Sequence, residues 1–467
     1  MFETIKGRDL IEAGLPQGKW FVEAIAAANA VMERGGPRAD AIAAALAFAP
    51  PPQLALQAAG ALPFHANIEA ETPAEAANVE AVKASMMKLM RTPVVRAGAI
   101  MPDACPAGPP GTIPVGGVAV SQAIHPGMHS ADICCSMAIS VMPGISPAAL
   151  LDAVHAVTHF GPGGRERGQQ VRPADTLMAR FEANDFLRDI RHMAIEHFAT
   201  QGDGNHFAFV GTLRSTGETA LVTHHGSRGP GAKLYAKGMK LAEAHRRRVS
   251  PETLPQNAWI PAGTKEGDDY WEALQIIRAW TKGNHLAIHD AAAGRLSARV
   301  ADRFWNEHNF VFRRADGLFY HGKGATPAFS GWAEDATDLT LVPLNMAEPV
   351  LIVRGLNADH GLGFSPHGAG RNFSRSEHRR QMAGRTDAEI FSDETKGIDA
   401  RFFSGIPDIS ELPSAYKNAT AVRRQIEGYR LAEVVDEVVP YGCIMAGERK
   451  GTDFWRKKRA PETKVKP

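Results

Sequence analysis

The chain has 467 residues, enough to bury a large core, and its 44% hydrophobic and 22% charged residues are the make-up of an ordinary globular protein. A net charge of +1 excludes nucleic-acid binding through an overall basic field, so any such contact must come from local patches. No run of about 18 apolar residues is present to span a bilayer, the start Met1-Phe2-Glu3-Thr4-Ile5-Lys6 lacks the layout of a signal peptide, and four cysteines, two of them adjacent, make no disulfide framework, so no membrane partner and a cytoplasmic, reducing setting are expected.

Residues 1–95 are Ala-rich and helical in pattern. Residues 19–33 read as one helix stopped by Gly35-Gly36-Pro37. Thr72-Pro73-Ala74-Glu75 is a capping box that opens a further helix, with Val79, Val82, Met86 and Met90 at core spacing. From Met101 the texture changes to short apolar strands between Gly-rich loops. Strands are expected at 116–120, 138–142, 310–313, 339–343 and 349–353, a hairpin over 207–213 and 220–223, and helices over 231–247 and 270–292. This predicts an α+β protein with a helical N-terminal region over 1–95 and a catalytic domain over 96–467. The tail from Arg456-Lys457-Lys458-Arg459 to Pro467 is basic and expected to be loose.

The chemistry gathers around Ser365-Pro366-His367-Gly368-Ala369-Gly370-Arg371-Asn372-Phe373-Ser374-Arg375. Gly368 and Gly370 permit close backbone approach to a ligand, Arg371 and Arg375 suit phosphate oxygens, and His367 is a candidate nucleophile, ligand or acid/base. The predicted hairpin brings His206, at the start of one strand, beside His224 or His225, at the end of the other. Two imidazoles converging in this way suit a metal site. Asp132 lies three residues before Cys135 across a tight turn, with Cys134 as the neighbouring candidate, and His308 adds another imidazole. Asp, Cys and three His suit a transition metal such as Mn²⁺ or Zn²⁺ better than a site built only of oxygens. Around them lie phosphate-seeking groups: Ser227-Arg228-Gly229, Lys323 within Gly322-Lys323-Gly324-Ala325-Thr326, and the two arginines. His285 and His289 have the i, i+4 spacing of a zinc peptidase, but Leu286 stands where the general base would be, so they are expected to pack.

The ordered motifs MPD, DICC, GDGNHF, HHGSRGPG, EHNF, HGKGAT and HGAGRNFSR, from about Met101 to Tyr416, resemble the RtcB family of RNA-splicing ligases. That resemblance implies a mixed α/β catalytic fold with a two-manganese centre (Zn²⁺ or Co²⁺ being possible) in a cleft. The family's ligands fall on Asp132, Cys135, His206, His224 and His308, which selects Cys135 over Cys134 and His224 over His225. Asn205 falls on a phosphate contact, Arg228 and Arg375 on grips for the RNA backbone, and His367 on the histidine that GTP guanylylates. Asp103 of MPD joins His367 and Asn205 among the catalytic positions. Gly368, Gly370, Asn345 and Tyr416 fall along the nucleotide. The implied function is joining of RNA 3′-phosphate or 2′,3′-cyclic phosphate ends, in tRNA or rRNA, to 5′-hydroxyl ends through a histidine–GMP intermediate, with an archease-like activator as a possible partner. The alternatives are a phosphodiesterase or nucleotidyltransferase on the same scaffold, or an RNA-binding paralogue without turnover. Departures cluster at the base. The family's guanine-reading Glu is Phe209, its Ser-Met loop is Asn345-Met346-Ala347, a second base-contacting Ser is Val350, the His of its PDxH element is Cys105, and its C-terminal Lys has no clear match. Metals and nucleophile are therefore expected to be retained while base preference weakens, with ATP the chief competitor of GTP.

Overall fold

The structure is a computed structural model and describes residues 4–50, 52–328 and 330–448; the basic tail lies outside them. The chain forms two compact units, one of residues 1–55 with 244–252 and one of the remainder. In the smaller, helices Gly7–Glu12, Phe21–Glu33 and Arg38–Leu46 close over Leu10, Phe21, Ala24, Ala28, Ala41 and Ala45. The turn between the second and third requires a left-handed residue, and Gly35 supplies it at φ 78°.

The larger unit is built on two sheets. One runs Phe64–Ala66, Val95–Cys105, Val115–Ser121, Phe319–Lys323, Asn309–Arg313, antiparallel except for its first pair. Helix Pro73–Leu89 packs Val79, Val82, Met86 and Leu89 against Val95 and Ile100 of that sheet. Its cap differs from the expected box in one bond. Thr72 Oγ accepts from Glu75 N–H at 3.2 Å, but the Glu75 carboxylate accepts from Glu71 N–H at 2.7 Å, one residue further back than Thr72. The larger sheet runs Leu339–Val342, Val350–Gly355, Ala432–Met445, Phe207–Leu213, Thr219–His225, Ser136–Met142, Asp302–Glu307, all antiparallel, and Asp399–Phe402 adds to the long strand in parallel. Helix Lys265–Arg295 buries Ile276, Ile277 and Trp280 in the main core.

Two connections place the functional residues. His308 is the single residue between strand Asp302–Glu307 of the larger sheet and Asn309–Arg313 of the smaller. The short strand Phe364–Pro366 pairs with Ala325–Pro327, whose Ala325 N–H donates to the carbonyl of His308 at 3.2 Å. The chain after Pro366 is thereby delivered beside His308.

Candidate active site

Four neighbouring strands of the larger sheet end together. In spatial order they present His206, just before Phe207–Leu213; His224, paired with Phe207; Cys135, just before Ser136–Met142; and His308, just after Asp302–Glu307. Hydrogen-bonding each strand to the next forces four ends of the chain, distant in sequence, into one place. Alternation along Thr219–His225 separates the adjacent histidines. His224 joins the cluster, whereas His225 stacks on His285 at 3.4 Å between ring centroids. His285 is further held by Ser136 and Thr223, and His289 by Thr223 and Ser140, so both helical histidines are packed and hydrogen-bonded. The turn before Cys135 closes with its N–H donating to Asp132 O at 3.2 Å, and Cys134 takes φ 58°, sending the two thiols to different places. Cys134 is buried in the main core and Cys135 faces the imidazoles.

The donor atoms are arranged for a cation. His206 Nδ1–H donates to Gln201 O at 2.7 Å and His224 Nδ1–H to Asn205 O at 3.1 Å, which turns both Nε2 lone pairs inward. His206 Nε2 then lies 3.2 Å from Asp132 Oδ2 and 3.5 Å from Cys135 Sγ, electron-pair donors facing one another. His224 Nε2 lies 3.2 Å from both Cys135 Sγ and His308 Nε2, so one lone pair has two claimants. Burial strongly disfavours imidazolium here, so each imidazole brings one N–H and keeps one lone pair. It pushes His224 down to about 3 and His308 well below the ordinary value. A positive ion among these donors would take up several of their lone pairs at once. Asp132–Cys135–His206 and Cys135–His224–His308 are each compact enough to hold a metal ion, with Cys135 common to both.

His367 stands next to this cluster, its ring centroid 4.7 Å from that of His308. Its Nδ1–H donates to Asp103 Oδ2 at 2.6 Å, and Asp103 is wholly buried on strand Val95–Cys105. That bond fixes the tautomer and leaves Nε2 with its lone pair exposed for attack or ligation. Gly370, at φ 73°, is a position where a Cβ would lie 2.0 Å from Asp103 O, so glycine is what allows the His367 loop to close on Asp103.

Asp132, Cys135, His224, His308 and His367 share a cavity of about 270 Å³ that is also lined by Asn205, Lys323, Asn345, Gly368, Gly370, Arg371, Arg375 and Tyr416. Lys323 donates to Ile113 O at 3.2 Å, and burial lowers its ammonium to about 8. Arg228 does not line the cavity. Its guanidinium donates to Gly161 O at 2.6 Å, Gly163 O at 3.2 Å and Thr200 Oγ at 3.2 Å, ordering a Gly-rich loop.

One cavity residue has no signal in the sequence. Glu411, 1% exposed, accepts from Arg375 Nε at 2.8 Å, from Tyr416 Oη at 2.6 Å and from Arg371 at 3.4 Å, while Arg371 also lies over the Tyr416 ring at 5.3 Å. It holds in place three side chains that sequence reasoning did single out. Only its place five residues before Tyr416, at the end of a short helical turn, could have drawn attention to it.

Residues 164–446, more than half of the chain, match the family model described as tRNA-splicing ligase RtcB. Asp103, Asp132 and Cys135 precede that span. Among similar curated proteins, RNA-splicing ligase RtcB1 of Escherichia coli (strain ATCC 25922) is 25% identical over 335 residues, covering 64% of this chain and 79% of its own. The tRNA-splicing ligase RtcB of Thermococcus kodakarensis is 24% identical over 409 residues, covering 70% and 84%. That of Aeropyrum pernix is 26% identical over 287 residues, covering 53% and 59%. No helix among the described residues is long and apolar enough to cross a membrane. With its mixed helix-and-sheet fold and a His/Cys/Asp cluster able to hold metal, this chain belongs to the RtcB family.

Proposed function

We propose that this protein is a metal-dependent RNA ligase that joins 3′-phosphate or 2′,3′-cyclic phosphate ends to 5′-hydroxyl ends through a nucleotide carried on His367. The observation that carries the reading is the pairing of His367 with the buried Asp103 at 2.6 Å, next to the Cys/His cluster in one cavity. It is supported by the names of the relatives, which are RNA- and tRNA-splicing ligases. Asp132, Cys135, His206, His224 and His308 would hold two divalent ions of the Mn²⁺ class, with Zn²⁺ or Co²⁺ as alternatives; bound there, such ions supply neutralisation of phosphate charge.

The chain's own groups do the rest. Asp103 keeps the His367 proton on Nδ1, so Nε2 attacks the α-phosphorus of a nucleoside triphosphate, GTP or ATP. The P–N bond forms as the bond to the bridging oxygen breaks and pyrophosphate leaves with that electron pair. The RNA 3′-phosphate, set free from a cyclic end by water, next attacks the α-phosphorus and releases His367. The 5′-hydroxyl then attacks the 3′-phosphorus and the nucleoside monophosphate departs. Such transfers depend on positioning and charge. Asn205 and Lys323 serve the phosphates, Gly368 and Gly370 let the loop approach, Tyr416 and Asn345 border the nucleotide, and Arg371 and Arg375 grip the RNA backbone, with Arg228 acting through the loop it orders. Broken tRNA or rRNA is the substrate class, and an archease-like protein a partner for turnover.

The test is ligation of a 3′-phosphate RNA to a 5′-hydroxyl RNA with Mn²⁺ and nucleoside triphosphate. Wild type should seal the strand and form an acid-labile protein–nucleotide adduct. Sealing undiminished in His367→Ala would overturn the reading.

A further inference from the structure

Beside the metal cluster, where the Phe207 ring lies 5.3 Å from that of His224, the cavity changes character. Its floor is one face of the larger sheet, where Phe209 pairs with Cys443 and Phe207 with Met445 across neighbouring strands, so that all four side chains share a side. Met346 and Val350 close it. Phe209, Val350, Cys443, Met445 and Met346 are all buried, and burial pushes the Cys443 thiol far up, keeping it neutral. None of these six residues is charged, whereas Lys323, Arg371 and Arg375 line the same cavity, so the apolar walls of this chamber suit the ring, and the charged groups the phosphates, of a nucleotide whose α-phosphorus is at His367.

Three side-chain acceptors that line the cavity each already hold at least one donor. Asn345 Oδ1 accepts from Ala347 N–H at 2.9 Å. Glu411 gives both carboxylate oxygens to Arg375, Tyr416 and Arg371. Asn309 Oδ1 accepts from Gly324 N–H at 2.8 Å. A guanine edge brings N1–H and N2–H₂ donors that need acceptors when buried, and an unmet donor is costly. Adenine carries a ring nitrogen acceptor where guanine has N1–H, and the Asn345 amide still has its N–H₂ to donate.

Resting on the histidine–nucleotide reading above, we propose that this chamber takes a purine by packing and does not select guanine, so that an adenosine triphosphate is used at least as well as a guanosine triphosphate. An apolar pocket discriminates between rings of similar size weakly, whereas one built with acceptors would reject the wrong edge by orders of magnitude.

The experiment compares adduct formation from α-³²P ATP and GTP at equal concentration with Mn²⁺. It is paired with the equilibrium affinities of His367→Ala protein for the same two nucleotides. ATP labelling at a rate equal to or above GTP, with the same order of affinities, is the expected result. A reproducible GTP preference in either measurement overturns the proposal and leaves the ligase reading standing. Absence of any adduct removes the ligase reading, and the affinity ratio then still decides the chamber. Met346→Glu, in a loop, should shift the ratio toward GTP by about tenfold because it installs an acceptor, the equivalent of about 1.4 kcal/mol. Met346→Leu should leave it unchanged, and equal ratios in Met346→Glu and wild type would overturn the assignment of the wall.

Discussion

The strand Phe207–Leu213 serves both ends of one cavity, and the two ends obey opposite rules. At its start, His206 belongs to a cluster in which lone pairs are aimed inward and both hairpin imidazoles are oriented by backbone carbonyls. Three residues further on, Phe209 and its cross-strand neighbour Cys443 offer only apolar contact. One end gathers electron-pair donors able to hold cations; the other is lined by apolar side chains. Chemistry and ring recognition are therefore separable on a single strand, and substitution at one end should leave the readout of the other intact.

The largest effect is expected from Cys135→Ala. Because Cys135 belongs to both candidate metal groups, its loss should strip most bound metal, measured by elemental analysis, and lower sealing by at least about 10³-fold. Cys134→Ala, in the core, should retain metal and lose about 1 kcal/mol of stability. If Cys135→Ala changed the ATP/GTP affinity ratio, the two ends would not be separable and the comparison would break. Asp103→Asn comes next. An amide cannot hold the His367 proton as the carboxylate does, and single-turnover adduct formation should fall by roughly 10²–10⁴-fold with little change in nucleotide affinity.

Glu411 sharpens the comparison at the boundary between the ends. Glu411→Gln should cost about 2 kcal/mol in chemical denaturation, less than a wholly buried pair would, because Arg375 is 53% exposed. It should also raise the KM for RNA by loosening Arg375 and Arg371. Lys323 gives a pH signature. Its ammonium, lowered to about 8 by burial, is charged below that pH and neutral above it, so triphosphate affinity should fall as pH rises from 7 to 9. Lys323→Arg should flatten that profile, and a wild-type affinity independent of pH over this range would count against Lys323 as a phosphate contact. The smallest effect is a salt slope for RNA binding that is shallower by about one in Arg375→Ala.

Much of this arrangement was legible in residue order. The hairpin followed from two apolar runs around Ser215-Thr216-Gly217-Glu218, and helix Pro73–Leu89 from Thr72 and Pro73. Helix ends ran beyond the expected limits, to Arg228–Val249 and Lys265–Arg295, because tertiary packing carried them past the apolar stripe. The strand Ala432–Met445 escaped notice. It carries Glu433, Asp436, Glu437, Pro440 and Gly442, and the register shift between Pro440 and Gly442 breaks its alternation, yet it lies in the middle of the larger sheet. Its propensity is overridden by pairing on both sides. Glu411 escaped for the converse reason, since a carboxylate in a loop looks solvated until the residues that bury it are known. Arg228 was expected at the cavity because an arginine between Ser and Gly looks available, whereas its guanidinium is taken up by loop carbonyls.

His308, the joint between the two sheets, has a kinetic consequence. Asp132 with Cys135 and His206 with His224 are local pairs, the second joined by a hairpin, but Cys135 is 71 residues from His206 and His224 is 84 from His308, so bringing the pairs and His308 together is long-range closure. Loop closure on this scale comes late, after local hairpins and helices have formed. A metal ion added to a refolding chain should therefore be taken up in the slowest phase. Metal uptake followed in stopped flow would time the docking of one sheet on the other at residue 308.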